Sequence, residues 1–241
     1  MTVSPGLVRA VEGTPLDGPV LVTGGSSGLG AAVVAAVAKR GGTAVVLDRQ
    51  APPDGGDHVQ VDLADPADAV AAVERAVQQY GPPTAVVTAA GTDACGKLDE
   101  VPLDAWTRVV AVNLIGTAAV VRAALPHLKA NHGRVVTVAS TLGIKAVSDA
   151  TAYCASKFGV LGFSRALAAE TRGQIGVTTL VPSGMRTRFF DDRDAKYKPG
   201  DDAKLNDPEN VANTVIFALQ QPEGCEIREL VVCHEEEPSW P

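Results

Sequence analysis

A tyrosine and a lysine stand four residues apart in Tyr153-Cys154-Ala155-Ser156-Lys157, near the start of a stretch that reads as helix from Ala150 to about Arg172. At that separation two side chains share one helix face. An ammonium beside a phenol favours the phenolate. A free phenol, with a pKa of about 10, is ionised in roughly one molecule in a thousand at neutral pH, and a neighbouring cation lowers such an acid by ~1–3 units. On this reading Tyr153 is a proton carrier and Lys157 the group that brings its pKa down. Taken alone, the pair is equally explained by chance spacing, so the rest of the chain must supply its context. Ser140 closes an apolar strand upstream, where a hydroxyl can orient a substrate oxygen. Asn113 falls inside a long apolar helical stretch. Its amide competes with the helix backbone, which points to a task other than helix formation.

A second group of residues has the chemistry of a phosphate seat. Val20-Leu21-Val22 reads as a buried strand, and Thr23-Gly24-Gly25-Ser26-Ser27-Gly28-Leu29-Gly30 as a tight turn into a helix that runs to Arg40. Free backbone N–H groups of a first helical turn, with the positive end of the helix dipole, attract a pyrophosphate. The same turn would also serve merely to pack helix on strand. Asp48, at the end of the next apolar run, stands where nucleotide-binding units place a carboxylate on the adenosine ribose, with Arg49 beside it. One strand further, Asp62-Leu63 suits the adenine, although Asp62 fits a turn residue as well.

These residues need a frame that brings them to one edge. Apolar runs and helical stretches alternate along the chain: strands at His58 to Val61, Thr84 to Ala90, Arg134 to Ala139, Val177 to Val181 and Ile227 to Cys233 follow the two already named. Between them lie helices opened by Asp65-Pro66 and Asp207-Pro208, each an N-cap with proline in the first turn, and one from Leu103 to about Lys129. Alternation with short connections predicts an α/β fold, a Rossmann-type, doubly wound, mainly parallel sheet of about seven strands with helices on both faces. Ligands of such sheets bind beyond the carboxyl ends of the strands. That edge collects Thr23 to Leu29, Asp48, Asp62-Leu63, Ala89-Ala90-Gly91, Ser140 and Pro182 to Thr187. Residues 1–17 read as an N-terminal extension, 18–241 as one domain, and 183–207 as a substrate lid without apolar period.

Composition narrows the function. The chain has 241 residues and a net charge of −7 with no basic cluster, which argues against nucleic acid or an anionic membrane as partner. Cys95, Cys154, Cys225 and Cys233 form no Cys-x-x-Cys pair, and the histidines are scattered, so neither a disulfide framework nor a metal site is indicated. No signal peptide is evident, and no apolar stretch free of charge or breakers has the length of a membrane span. A cytoplasmic location is expected.

Taken together, Thr23-Gly24-x-x-x-Gly28-x-Gly30, Asp62-Leu63, Asn113, Ser140, Tyr153-x-x-x-Lys157 and Pro182 to Thr187 closely resemble the short-chain dehydrogenase/reductase family, in its order and at its spacings across nearly the whole chain. The resemblance implies an NAD(P)-dependent oxidoreductase interconverting a secondary alcohol and a ketone, or an aldehyde and an alcohol. Tyr153 would exchange the proton with the substrate oxygen and Ser140 would hydrogen-bond that oxygen. Lys157 would lower the tyrosine pKa and hold the nicotinamide ribose, and Asn113 would support a water leading from the lysine to solvent. The cofactor residues implied are Thr23, Gly24, Ser26, Ser27, Gly28, Leu29, Gly30, Asp48, Arg49, Asp62, Leu63, Ala89, Ala90, Gly91, Tyr153, Lys157, Pro182, Ser183, Met185 and Thr187.

Two departures stand out: the family's Asn-Asn-Ala-Gly is Thr88-Ala89-Ala90-Gly91 here, and its Pro-Gly is Pro182-Ser183. Asp48 predicts NAD(H) over NADP(H), with Arg49 softening the preference so that NADP(H) stays possible. Apolar residues around the helix at 150–172, from Phe158 to Leu167, predict a homodimer or homotetramer. The partner is a small-molecule alcohol or carbonyl substrate. Two rivals are a catalytically silent nucleotide-sensing or scaffold protein of the same fold and a methyltransferase using the same turn; neither needs both Tyr153 and Lys157.

Overall fold

Val20, Leu21 and Val22 are fully buried, as a strand flanked on both sides and covered on both faces must be. In the computed structural model, which describes residues 13–237, they form the centre of β1 (Pro19–Thr23) in a seven-stranded sheet. The other strands are β2 (Thr43–Asp48), β3 (His58–Gln60), β4 (Ala85–Thr88), β5 (Arg134–Val138), β6 (Gly176–Pro182) and β7 (Glu229–Val232). Their order is β3-β2-β1-β4-β5-β6-β7, with every pairing parallel. The chain winds outward from β1 to β3 and then returns to the other side of β1 as β4. That reversal opens a crevice at the carboxyl edge between β1 and β4. Thr23 is in register with both Leu47 and Thr88, so the three strands end together there.

The period-two alternation of β1 divides the core. Val20 and Val22 face α1 (Gly28–Lys39) and α6 (Pro208–Leu219), packing with Val33, Val37, Val215 and Ile216. Leu21 faces the opposite layer, where Val73 of α2 (Pro66–Tyr80), Val121 and Leu128 of α4 (Thr117–Ala130) and Leu167 of α5 (Thr151–Glu170) close over it. The predicted caps are present: Asp65 accepts the Ala67 N–H at 2.8 Å and Asp207 the Glu209 N–H at 3.0 Å.

The structure departs from the sequence-based expectations at several boundaries. The strand expected to reach Ala90 ends at Thr88, because the Ala90 N–H turns aside to Thr23 Oγ1 at 3.1 Å instead of continuing the ladder. β3 stops at Gln60, where the Asp62 N–H donates to the Asp68 carboxylate at 2.9 Å and begins a turn. β7 is shorter than Ile227 to Cys233. The single helix expected from Leu103 is α3 (Leu103–Val110), a π-helical turn at Ala111–Gly116 and then α4. By length and composition the whole run Leu103–Ala130 would suffice to cross a membrane, contrary to expectation. Its core face, Val120, Val121, Ala124 and Leu128, packs on the sheet. Residues 183–206 are not featureless either. Met185 and Asn206 form a parallel bridge at the base, and 3-10 turns lie at Arg188–Phe190 and Ala195–Tyr197. Of the stretch expected as an extension, residues 1–12 lie outside the described part. Thr14 pairs with the end of α6 through Gln220 O at 2.9 Å, and Leu16 packs on the core.

Candidate active site

The glycine turn between β1 and α1 has the shape its sequence requires. Gly24 has φ +69° and Gly28 φ +52°, left-handed backbone that side chains with a Cβ avoid. A Cβ on Gly24 would come within 2.7 Å of Ala90 Cα, so β1 and the loop after β4 can meet only with glycine there. Ser27, the N-cap of α1, makes no side-chain cap, and the first turn carries no acidic residue. Its N–H groups are therefore left for an anion, which fits the pyrophosphate of a dinucleotide. Leu29, by contrast, turns its side chain into the core. Thr187 sits over the turn, 3.5 Å from the point a Gly28 Cβ would take.

At the end of β2, Asp48 Oδ2 accepts the Ser26 N–H at 3.1 Å and Oδ1 the Gln50 N–H at 3.2 Å. The carboxylate is thus aimed across the mouth of the turn. Arg49 is exposed beside it. Asp62 performs the turn role: Oδ1 accepts the Ala64 N–H at 3.0 Å, and both oxygens lie 3.2 Å from Arg108 Nη2. Burial raises the Asp62 pKa, but the turn bond and Arg108 outweigh it and leave the pKa below the usual carboxylate value. Leu63 is buried against the π-helical turn at Gly116. Ser183 donates its N–H to Val232 O at 3.0 Å, so the Pro-Ser departure leaves the exit from β6 in register with β7.

The chemical residues converge on the same edge. Ser140 follows β5, and its Oγ accepts the Leu142 N–H at 3.1 Å while also hydrogen-bonding Tyr153. Lys157 is 4 % exposed, donates to Val138 O at 2.8 Å, and holds Nζ 5.6 Å from the centre of the Tyr153 ring. Asn113, at the π-helical turn, donates to Thr92 O at 2.9 Å and Ser156 Oγ at 3.0 Å and accepts the Thr92 N–H at 2.8 Å. The residue type that disfavoured a regular helix here ties the loop after β4 to the helix carrying Tyr153 and Lys157. Gly91 lies within this knot: its missing Cβ would stand 3.6 Å from Asn113 Oδ1 and 3.8 Å from Lys157 Nζ.

One expectation is corrected. The net shift of the phenol is upward, not downward: burial pushes Tyr153 up to about 12, opposed by the Ser140 hydrogen bond and the charge of Arg193. Burial also pushes Lys157 down to about 8. In a site this enclosed, desolvation outweighs the neighbouring charge.

The stretch expected as a substrate lid meets the loop after β4 through a contact that the sequence does not foretell. Arg193 Nη2 lies 2.6 Å from Asp93 Oδ2, and Phe189 packs against Tyr153 with the rings tilted at 55° and their centroids 5.8 Å apart. No local period marks such a pair, because both residues are in irregular backbone a hundred positions apart. Among the described residues, no cluster of three or more His, Cys, Asp or Glu is placed to hold a metal, and the four cysteines are free.

The chain is 33% identical over 244 residues to a glycine betaine reductase of Emericella nidulans, covering 93% of this chain but only 19% of that much longer protein. It is 36% identical over 189 residues to a D-threitol dehydrogenase of Mycolicibacterium smegmatis, covering 72% of this chain and 73% of that protein. In fold it is similar, with a TM-score of 0.81 and 20% identity over 91% of this chain and 97% of the other, to an alcohol dehydrogenase from the archaeon Thermococcus sibiricus solved with 5-hydroxy-NADP. The family model for short chain dehydrogenases matches residues 19–198, most of the chain. The chain belongs to the short-chain dehydrogenase family of oxidoreductases, whose members bind NAD(P).

Proposed function

We propose that the protein interconverts a secondary alcohol and a ketone, or an aldehyde and an alcohol, with NAD(H) as the preferred nucleotide. The observation that carries this reading is the convergence of Ser140, Tyr153 and Lys157 at the carboxyl edge, beside a glycine turn whose N–H groups are free for a pyrophosphate. Thr23, Gly24, Ser26, Ser27, Gly28 and Gly30 would hold the phosphates. Asp48 would hold the adenosine ribose, and Ala89 to Gly91 and Pro182 to Thr187 would flank the rest. The nicotinamide, when bound, supplies or accepts the hydride.

The chain's own residues supply the rest. Tyr153 gives its proton to the carbonyl oxygen in reduction and takes it back from the alcohol in oxidation. Ser140 hydrogen-bonds the same oxygen and stabilises the charge that develops on it. Lys157 is fixed by Val138 O on the Tyr153 side of the sheet edge, so its ammonium offsets the charge of the phenolate as it forms. Asn113 keeps the loop at Thr92 in place. A polyol is a reasonable substrate class, since the threitol dehydrogenase is among the relatives. The silent-scaffold alternative would need neither Tyr153 nor Lys157, and the chain keeps both side by side at this edge.

Assembly as a dimer or tetramer through α5 belongs to the same proposal, on narrower ground than composition suggested. Val160, Leu161 and Leu167 are spent on the core, leaving Phe158, 45 % exposed, with Ile115 at 45 % in the π-helical turn. Purified protein titrated with NADH and NADPH, then assayed with each oxidised nucleotide on a panel of secondary alcohols and tetritols, tests the reading. Nucleotide-dependent turnover is expected, and failure to bind either nucleotide would sink it.

A further inference from the structure

The Asp93–Arg193 ion pair is the most enclosed among those described, with side chains 6 % and 18 % exposed. Its cation is fixed on three sides. Nη2 donates to Asp93 Oδ2 at 2.6 Å and Nη1 to Tyr197 O at 3.3 Å, and Cζ lies 5.2 Å and 4.6 Å from the Phe189 and Phe190 ring centres. Phe189 in turn packs on Tyr153. Nε is buried with no hydrogen-bond partner among the described residues. Asp93 is also pinned, its Oδ1 accepting the Ala94 N–H at 2.7 Å and Oδ2 the Cys95 thiol at 3.2 Å. Both charges reach the Tyr153 phenol, with opposite effect, and that of Asp93 reaches Lys157 as well.

A buried ion pair gains little net stability, because desolvation offsets the attraction. A simple latch between loop and lid would not call for a guanidinium with a donor left over, and an unsatisfied buried N–H is costly. A donor beside an acceptor matches a hydroxyl, which both accepts and donates. A substrate carboxylate would satisfy Nε but would meet the charge of Asp93 at short range. An alkyl group would leave the donor unpaired. We propose that Asp93 and Arg193 are substrate-specificity residues that together bind a second hydroxyl, on a carbon next to the one whose oxygen Tyr153 serves, and so select vicinal diols and polyols over simple alcohols. This rests on the oxidoreductase reading above.

The test compares butane-2,3-diol with butan-2-ol, using full-length protein and NAD+, with NADH binding followed separately by fluorescence. Wild type is expected to favour the diol in kcat/KM by about tenfold or more, the scale of one well-made hydrogen bond in a closed site. Arg193→Lys keeps a cation for Asp93 but removes the Nε donor and the stacked plane. The ratio should then fall to within about twofold of unity, mostly through the diol's KM. Asp93→Asn should lower the ratio in the same sense and is the second route if Arg193→Lys folds poorly. Equal use of the two alcohols by wild type overturns the inference, as does a preference that survives both variants. Loss of both activities by one factor, with the ratio kept, identifies a latch only and also overturns it. A wild type that binds no NADH fails the oxidoreductase reading. One that binds NADH and oxidises both alcohols alike fails only the specificity assignment, and turnover of neither counts against both.

Discussion

Asp48 and Ser26 are joined at the mouth of the glycine turn, the Asp48 carboxylate accepting the Ser26 N–H at 3.1 Å. On the function proposed above, that bond holds the charge where an adenosine 2′-substituent would arrive. A ribose hydroxyl can donate to it, whereas a 2′-phosphate meets a like charge. Two unit charges ~4 Å apart at an effective dielectric of about 20 repel by roughly 4 kcal/mol. Arg49, exposed alongside, offsets part of this, so NADH is expected to bind about ten- to a hundredfold more tightly than NADPH. Asp48→Ala should bring the two dissociation constants to within about threefold. Equal affinities in the wild type would show that Asp48 does not face the ribose.

The protonation states of Tyr153 and Lys157 set the pH dependence. With the phenol pushed up to about 12, Tyr153 is protonated throughout the neutral range and is ready to donate. Oxidation needs the phenolate, whose fraction rises tenfold per pH unit below that value. Alcohol oxidation is therefore expected to rise from about pH 6 to about pH 8, where Lys157 begins to lose its charge. Carbonyl reduction should be level through neutrality and fall above about 8, where Lys157 loses the charge that supports the forming phenolate. Rate profiles in the two directions check this, and an oxidation rate that declines across that window would refute it.

Lys157 is held at a cost to the fold. Its pKa drops from 10.5 to about 8 on burial, so the folded state binds its proton less tightly than the unfolded chain does. The cost is fully present below about pH 8 and vanishes as pH rises past 10.5, and at neutral pH it amounts to about 3 kcal/mol. Lys157→Met gives up the bond to Val138 O but removes this penalty. The variant should melt a few degrees higher at pH 7 and lose turnover. A lower melting temperature would mean that the buried charge is better compensated than its surroundings indicate.

Thr88 stands where the family has asparagine, 2 % exposed, and its Oγ1 has no hydrogen-bond partner among the described residues. Thr88→Val keeps the shape and removes a buried unpaired hydroxyl, a change expected to stabilise by about 1 kcal/mol. Urea unfolding measures it. Destabilisation by a similar amount would imply that the hydroxyl is bonded after all.

The frame was legible because its signals are local. Asp65-Pro66 and Asp207-Pro208 cap helices as their chemistry dictates, and the valine-rich runs became buried parallel strands. Asn113 was legible as an anomaly, and its π-helical turn shows why: the amide serves Thr92 and Ser156 instead of the helix. Two things were not legible. The sign of the Tyr153 shift depends on burial against charge, and spacing reports only the charge. The Asp93–Arg193 contact joins two irregular segments whose approach is fixed by the sheet, the bridge between Met185 and Asn206, and Phe189 against Tyr153.

The central claim is that Tyr153 carries the proton in a nucleotide-dependent reaction, and Tyr153→Phe measures it most directly. The substitution removes one hydroxyl from a ring packed against Phe189 and leaves the glycine turn, Asp48 and Lys157 in place. For any alcohol the wild type oxidises, kcat should fall by ~10²–10⁴, the usual worth of a positioned proton carrier, while the dissociation constant for NADH changes by less than about threefold. Wild-type turnover in the phenylalanine variant, with NADH bound normally, would contradict the account.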